Sequence, residues 1–219
     1  MIRISDEIRA LFPDLVVGVL SGSVINSEQH SELWELISME ADRISRTMDA
    51  EAIRQVEAIR LGKQAYRHLG KDPNRYRLSA EALMRRIIKN QDLYAINTVV
   101  DVLNLVSIKT GVTIGGFDYR LINGPIELGI GSAQDPFEAI GRGALNVGNL
   151  PVHRDLTGVI GNPTSDCTRT RITLKTNEIL MLITGFYGKK TIEGPLNELE
   201  KMLERFCQGG PFTKAIISA

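Results

Sequence analysis

Residues 97–118 read NTVVDVLNLVSIKTGVTIGGFD, and the spacing of their apolar side chains changes partway through. Up to Lys109 the period is helical. Ile96, Val99, Val100, Leu103 and Val106 fall on one stripe, which predicts a helix from about Tyr94 to Lys109 with that stripe buried. Asn97, Asp101, Asn104 and Ile108 form a second row, which lines up three polar side chains as a ridge bracing the next loop. Past Gly111 the pattern becomes extended, starting with VTIGGFDY.

On the N-terminal side, DLVVGVLSG (14–22) is β-branched, ends in glycine and reads as an opening strand. Glu28 to Leu69 is helical, with a break near Thr47 to Glu51 that divides two helices. After Gly70, Pro73 and Asn74 interrupt the pattern, a helix starts at Ser79. Its hydroxyl is placed to cap free amides, and Glu81 favours the positive end of the dipole. On the C-terminal side, GPIELGIGS, NLPVHRD and GVIG are short extended segments, and EILMLITGFYG (178–188) is a continuous buried strand. A helix from about Gly194 to Cys207 carries Leu196, Leu199, Met202, Leu203 and Phe206 on one face, and FTKAIISA closes the chain as a strand. Helices followed by strands predict an α+β fold, with N-terminal helices packed on a mixed, mostly antiparallel sheet. One domain over 1–219 is expected, with 1–92 mainly helical and 93–219 adding the sheet and the pocket.

With 219 residues, 43% hydrophobic and 24% charged, the chain has the composition of a globular protein with a substantial core. No apolar run approaches membrane-spanning length, and MIRISDEIRA lacks a signal-peptide core, so no membrane partner and a cytoplasmic location are expected. Cys167 and Cys207 are too few for a disulfide framework. Without CxxC, HExxH or clustered histidines, neither a metal nor a cofactor is expected.

Net charge is zero, which argues against indiscriminate nucleic-acid binding, but the charge is unevenly placed. Residues 28–57 hold eight acids against three arginines, whereas 60–89 hold nine Lys and Arg against Asp72 and Glu81. Either the basic block meets a phosphate backbone, or the two blocks neutralise each other.

The 97–118 stretch resembles a segment of the editing module, the B3/B4 domain, in the β subunit of bacterial phenylalanyl-tRNA synthetases. Val99, Val100, Asp101, Asn104, Gly111, Phe117 and Asp118 keep that segment's order and spacing. Tyr76, Arg77, Ser79, Glu81, Ala82 and Leu83 are similar to the lead-in of free-standing relatives of the module. Gly158, Gly161 and Thr176 look like parts of its later strand pair. The resemblance runs from roughly Tyr66 to Gly188. It implies a B3/B4-like fold, tRNA or another RNA as partner and, if the protein is an enzyme, hydrolysis of an aminoacyl-tRNA ester in trans. Two positions depart from the module: its histidine falls on Gly115, and the glutamate that reads a tyrosine hydroxyl falls on about Leu182.

Asn104, Gly115, Gly116, Asp118, Thr164, Asp166 and Arg169 are the candidate ligand-pocket residues. NPTSDCTRTR (162–171) gathers hydroxyls, a carboxylate and arginines in one loop; arginine clamps phosphates or carboxylates, and aspartate orients water. Asp118 also suits a turn cap. Arg75, Tyr76, Arg77, Arg85 and Arg86 are the candidate RNA-binding residues, because rings beside cations, Tyr66 among them, can stack on bases while the cations meet phosphates. Cys167 reads as a small buried residue and His153 as a strand-end surface residue. No catalytic residue is singled out. The alternative is a small-molecule-binding protein or enzyme that kept the fold without RNA.

Overall fold

In the computed structural model, which describes residues 2–218, the apolar run at 178–188 contains β10 (Glu178–Gly185), a strand paired on both edges. β2 (Val16–Ser23) and β3 (Ile114–Asp118) flank it antiparallel, and β11 (Phe212–Ser218) pairs with the far edge of β2. Side chains of β10 alternate between two cores. Ile179, Met181 and Ile183 join the helices, whereas Leu180 and Leu182 join Val17, Val19, Phe117, Leu128 and Ile160. Burial on both faces is why this strand is apolar without alternation.

The second sheet has the order β1 (Ile2–Ile4), β4 (Ile126–Ile130), β7 (Pro151–Arg154), β8 (Val159–Asn162) and β9 (Ser165–Asp166). Its β1–β4 pair is parallel and the others are antiparallel. β5 (Glu138–Ala139) and β6 (Gly143–Ala144) form a separate short ribbon. The N-terminal strands β1 and β2 thus enter both large sheets. The arrangement is α+β with mostly antiparallel strands, as the order of patterns predicted.

The helices are α1 (Asp6–Leu11), α2 (Ser31–Thr47), α3 (Ala50–Gln55), α4 (Glu57–His68), α5 (Ser79–Ile87), α6 (Thr98–Thr110) and α7 (Glu193–Cys207). The expected break near Thr47 is present, and Asp49 caps α3 by accepting from the amides of Glu51 (2.9 Å) and Ala52 (2.7 Å). A second break at Val56 splits the next helical stretch into α3 and α4. The Ser79 cap is not formed. Leu78 occupies the cap position, and the Ser79 amide donates to the Pro163 carbonyl at 2.9 Å. Glu81, instead of serving only the helix dipole, is buried and accepts from Lys63 Nζ (3.1 Å) and Arg85 Nε (2.7 Å).

The start of α6 also differs from the expected one. Asn97 accepts from the Val100 amide at 3.1 Å, so the helix begins at Thr98. Ile96 therefore precedes the helix and is 53% exposed, while Val100 and Leu103 are half-buried. The buried positions are Val99, Val102, Leu105, Val106 and Ile108, because α2, α5, α7 and the first sheet surround the helix. The polar ridge braces the preceding segment rather than the following one. Asp101 accepts from Trp34 Nε1 at 2.8 Å and from the Ile96 amide at 3.1 Å. Among the described residues no helix is long and apolar enough to cross a membrane, and no cluster of His, Cys, Asp and Glu is placed to hold a metal.

Candidate functional site

The segment joining α5 to α6 approaches the loops around Arg142 and Arg171, and between them lies a groove of about 810 Å3. Arg77, Arg85, Arg86, Lys89, Arg142 and Arg171 line it, with Asp166 as the only carboxylate. Of these cations only Arg85 is ion-paired, to Glu81; among the described residues the other five have no carboxylate partner. The Arg77 Nε is buried with no hydrogen-bond partner among the described residues. Tyr94 (65% exposed), Ile96, Ile140 and Leu174 add apolar surface to the same groove, and the Arg86 guanidinium lies 4.2 Å from the Tyr94 ring centre.

The acidic block does not neutralise the basic one. Glu40, Asp42 and Glu51 pair with Arg43, Arg46 and Arg54 of their own helices, and Glu32 pairs with Arg205. Within the basic block, Lys63 and Arg85 are bound by Glu81. The side chains of the basic block reach the acidic block through a long bond of 3.5 Å from Arg85 Nη2 to the Ala50 carbonyl, which involves no acid.

Of the residues expected to meet RNA, Arg77, Arg85 and Arg86 line the groove, while Arg75 and Tyr76 do not. The rings expected to stack are covered. Tyr66 is fully buried with its hydroxyl 3.0 Å from Thr164 Oγ1. Tyr76 is 9% exposed, with Lys71 Nζ 4.2 Å from its ring centre and Arg75 at 5.8 Å. Tyr94, which the reading of the sequence passed over, is the ring with a free face.

Asn104, Gly116, Thr164 and Asp166 come together along the groove, and Gly115 lines a smaller pocket beside it. Asp118 and Arg169 do not join them. Asp118 accepts from the Arg120 amide (3.1 Å) and from Thr176 Oγ1 (2.7 Å), which makes it a turn cap. Arg169 clamps Asp155 with two bonds of 2.8 and 3.0 Å. Burial pulls the Asp155 carboxyl upward, but Arg169 and the amides of Asn123 and Thr157 more than reverse this and hold it below its ordinary value.

The smaller pocket, of about 40 Å3, is walled by both sheets. Leu61, Leu182, Phe186 and Ile192 form apolar wall, and Thr113, Asn162 and Asp166 line both this pocket and the groove. Gly115 and Leu182, the two departures from the synthetase module, are cross-strand partners here. Asp166 Oδ2 accepts from the Gly116 amide at 3.0 Å. A Cβ on Gly161 would lie 2.5 Å from Asp166 Oδ1, and one on Gly115 would lie 3.4 Å from it. Glycines on two facing strands therefore leave the room that this carboxyl occupies. Burial pushes the Asp166 carboxyl up to about 7, against the downward pull of the Gly116 amide.

His153 corrects the sequence reading most sharply. It is 4% exposed because β7 is an inner strand, held between β4 and β8. Burial pulls its imidazole down to about 4. Its Nε2, with Asn162 Nδ2 and Thr113 Oγ1, is buried without a hydrogen-bond partner among the described residues. No local signal marks His153, since PVHRD has the same pattern in an inner or an edge strand. Cys167 is buried, as expected of a small packing residue.

Among curated proteins nothing matches the chain. A solved structure that it resembles is an N-terminal fragment of the phenylalanyl-tRNA synthetase β-subunit from Pyrococcus horikoshii, with a TM-score of 0.50 and 13% identity. The match covers 99% of this chain and 53% of that fragment chain, so this chain spans about half the fragment's length. At this identity the likeness is one of fold. Residues 62–207 match the B3/4 domain, and the chain belongs to that family.

Proposed function

We propose that the protein binds RNA in the groove, and that the natural occupant is the unpaired, aminoacyl-bearing end of a tRNA, whose ester the protein cleaves in trans. The observation that carries this reading is the set of five unpaired cations, Arg77, Arg86, Lys89, Arg142 and Arg171, beside the open Tyr94 ring. Unpaired cations along a groove follow a phosphate backbone, and a free aromatic face stacks a base of any identity. Net neutrality of the whole chain does not oppose this, because Glu40, Asp42 and Glu51 pair within their own helices, Glu32 pairs with Arg205, and among the described residues no acid of 28–57 pairs with a cation of the groove. The B3/4 family and the fold shared with a phenylalanyl-tRNA synthetase subunit favour tRNA among RNAs.

The test is filter retention of tRNA across a salt series, with wild type and the triple variant Arg86→Ala, Lys89→Ala, Arg171→Ala. Each phosphate contact on a single strand contributes roughly 0.7 to the slope of log affinity against log salt. The triple variant is expected to bind more weakly and to flatten that slope by about 2. No retention at low salt, or a triple variant indistinguishable from wild type, overturns the reading.

A further inference from the structure

Resting on that reading, we propose that the small pocket is the hydrolytic centre, with Asp166 as the proton-carrying catalytic residue and His153 and Asn162 as the groups that hold the attacking water. His153, Gly161 and Asp166 are cross-strand partners in turn on β7, β8 and β9, so their side chains share one face of the sheet. Gly161 contributes no side chain, and the Asp166 carboxyl leans across it towards His153, with Oδ1 only 2.5 Å from where a Cβ would sit. Oδ2 is engaged by the Gly116 amide, whereas Oδ1 has no hydrogen bond among the described residues. Asn162 Oδ1 accepts from the Thr164 amide at 2.9 Å, which turns Nδ2 to be the free end of that side chain.

Three buried polar atoms without a partner, His153 Nε2, Asn162 Nδ2 and Thr113 Oγ1, thus belong to residues around one pocket of about 40 Å3. Such a space has room for a few waters, each of which needs about 10–15 Å3 and two to four polar neighbours. A buried amide left unsatisfied costs about 1–3 kcal/mol, so an arrangement with several is retained for what it binds. Asp166, Asn162 and Thr113 also line the groove, so a water held among them has access to an ester bound in the groove.

The step balances without a co-reactant. Asp166 takes a proton from water as the oxygen bonds to the ester carbonyl carbon. The tetrahedral intermediate then collapses, the carbon–oxygen bond to the ribose breaks, and the proton passes from Asp166 to the departing ribose oxygen. Free amino acid and an RNA hydroxyl result. Positioned acid–base groups contribute typically 10²–10⁴-fold to rate.

The experiment measures amino-acid release from alanyl-, valyl-, phenylalanyl- and tyrosyl-tRNA, and from the matching aminoacyl-adenosines, which need no groove contacts. Wild type is expected to exceed the spontaneous rate on at least one ester. Asp166→Asn is expected to lose about 100-fold or more in kcat with tRNA retention and KM unchanged, Asp166→Glu to recover part of it, and His153→Gln to lose about tenfold in kcat alone. Retention of tRNA without release from any ester overturns the proposal, as does an Asp166→Asn protein with full activity. If tRNA is not retained, the groove reading fails by itself. Release from the adenosine esters that depends on Asp166 then upholds the hydrolytic centre, and its absence sinks it.

Discussion

His153 and Asp166 should impose opposite pH slopes on stability, and separating them tests the buried pocket without any ligand. Asp166 is raised from 3.8 to about 7 in the folded protein, so between those values the native state holds a proton that the unfolded chain has released. Stability from this group is full below about 4 and is lost as pH rises to about 7. His153 is lowered from 6.5 to about 4, so in that range the unfolded chain holds a proton that the native state excludes. Stability from this group is full above 6.5 and is lost as pH falls to about 4. One proton corresponds to about 1.4 kcal/mol per pH unit, and the two contributions cancel where the windows overlap. Between pH 4.5 and 6.5 the ends of both titrations blunt the nearly 3 kcal/mol span to about 2 kcal/mol for each group. Asp166 is half-buried and so is partly screened, which places it at or below that figure. Relative to wild type, His153→Gln should therefore gain about 2 kcal/mol on going from pH 6.5 to 4.5, and Asp166→Asn should lose up to about 2 kcal/mol over the same span. In thermal melts this is roughly 4–8 °C in opposite directions for a protein of this size. Taking differences from wild type at each pH cancels the other carboxylates. If both variants run parallel to wild type within about 0.5 kcal/mol, the two groups titrate as if in water and the account of the pocket is wrong.

Four further outcomes are expected. Glu81→Leu leaves Lys63, 3% exposed, without its counter-charge and should cost about 3–5 kcal/mol in urea unfolding, while adding Lys63→Met to that variant should recover most of the loss. Asp101→Ala strips the acceptor from Trp34 Nε1 and the Ile96 amide; a loss of about 1–3 kcal/mol with a shift in Trp34 fluorescence is expected, and an unchanged spectrum would contradict the bracing role. Gly111 closes α6 at φ +75° with Val56 packed against it, so Gly111→Ala should cost more than the about 1 kcal/mol of a left-handed alanine alone, as read by chemical denaturation. Because Leu182 supplies no acceptor at the pocket, tyrosyl-tRNA should show no advantage over other aminoacyl-tRNAs in deacylation, and selective release of tyrosine would show that another polar group reads the hydroxyl.

What could be read from the residues was whatever a short window decides. The continuous apolar run of β10 announces a strand covered on both faces, and Gly111 announces the end of α6. The N-cap Asn97 was equally visible, but the apolar Ile96 beside it draws the expected helix start about one turn too early, onto a stripe whose first member is exposed. Asp166 stood out because it shares a loop with hydroxyls and arginines, yet Arg169 in that same loop turned out to belong to Asp155. Which carboxylate an arginine finds is settled by the fold, not by proximity in the chain. The same holds for His153 and Tyr94. One is hidden because β4 and β8 close over it, and the other is open because Tyr94 stays outside the packed helices.

The position of β2 bears on how the chain is made. It lies between β10 and β11, so residues 16–23 find their neighbours only at 178–185 and 212–218. Pairings of such long sequence separation slow folding, because a large loop must close before any contact rewards it. Until residues 178–218 emerge, the β-branched run VVGVL of the nascent chain has both edges open, and an exposed apolar strand edge templates aggregation. The helices of 31–110 can form on local contacts in the meantime, whereas the sheet that holds β2 can be completed only once residues 212–218 have been made.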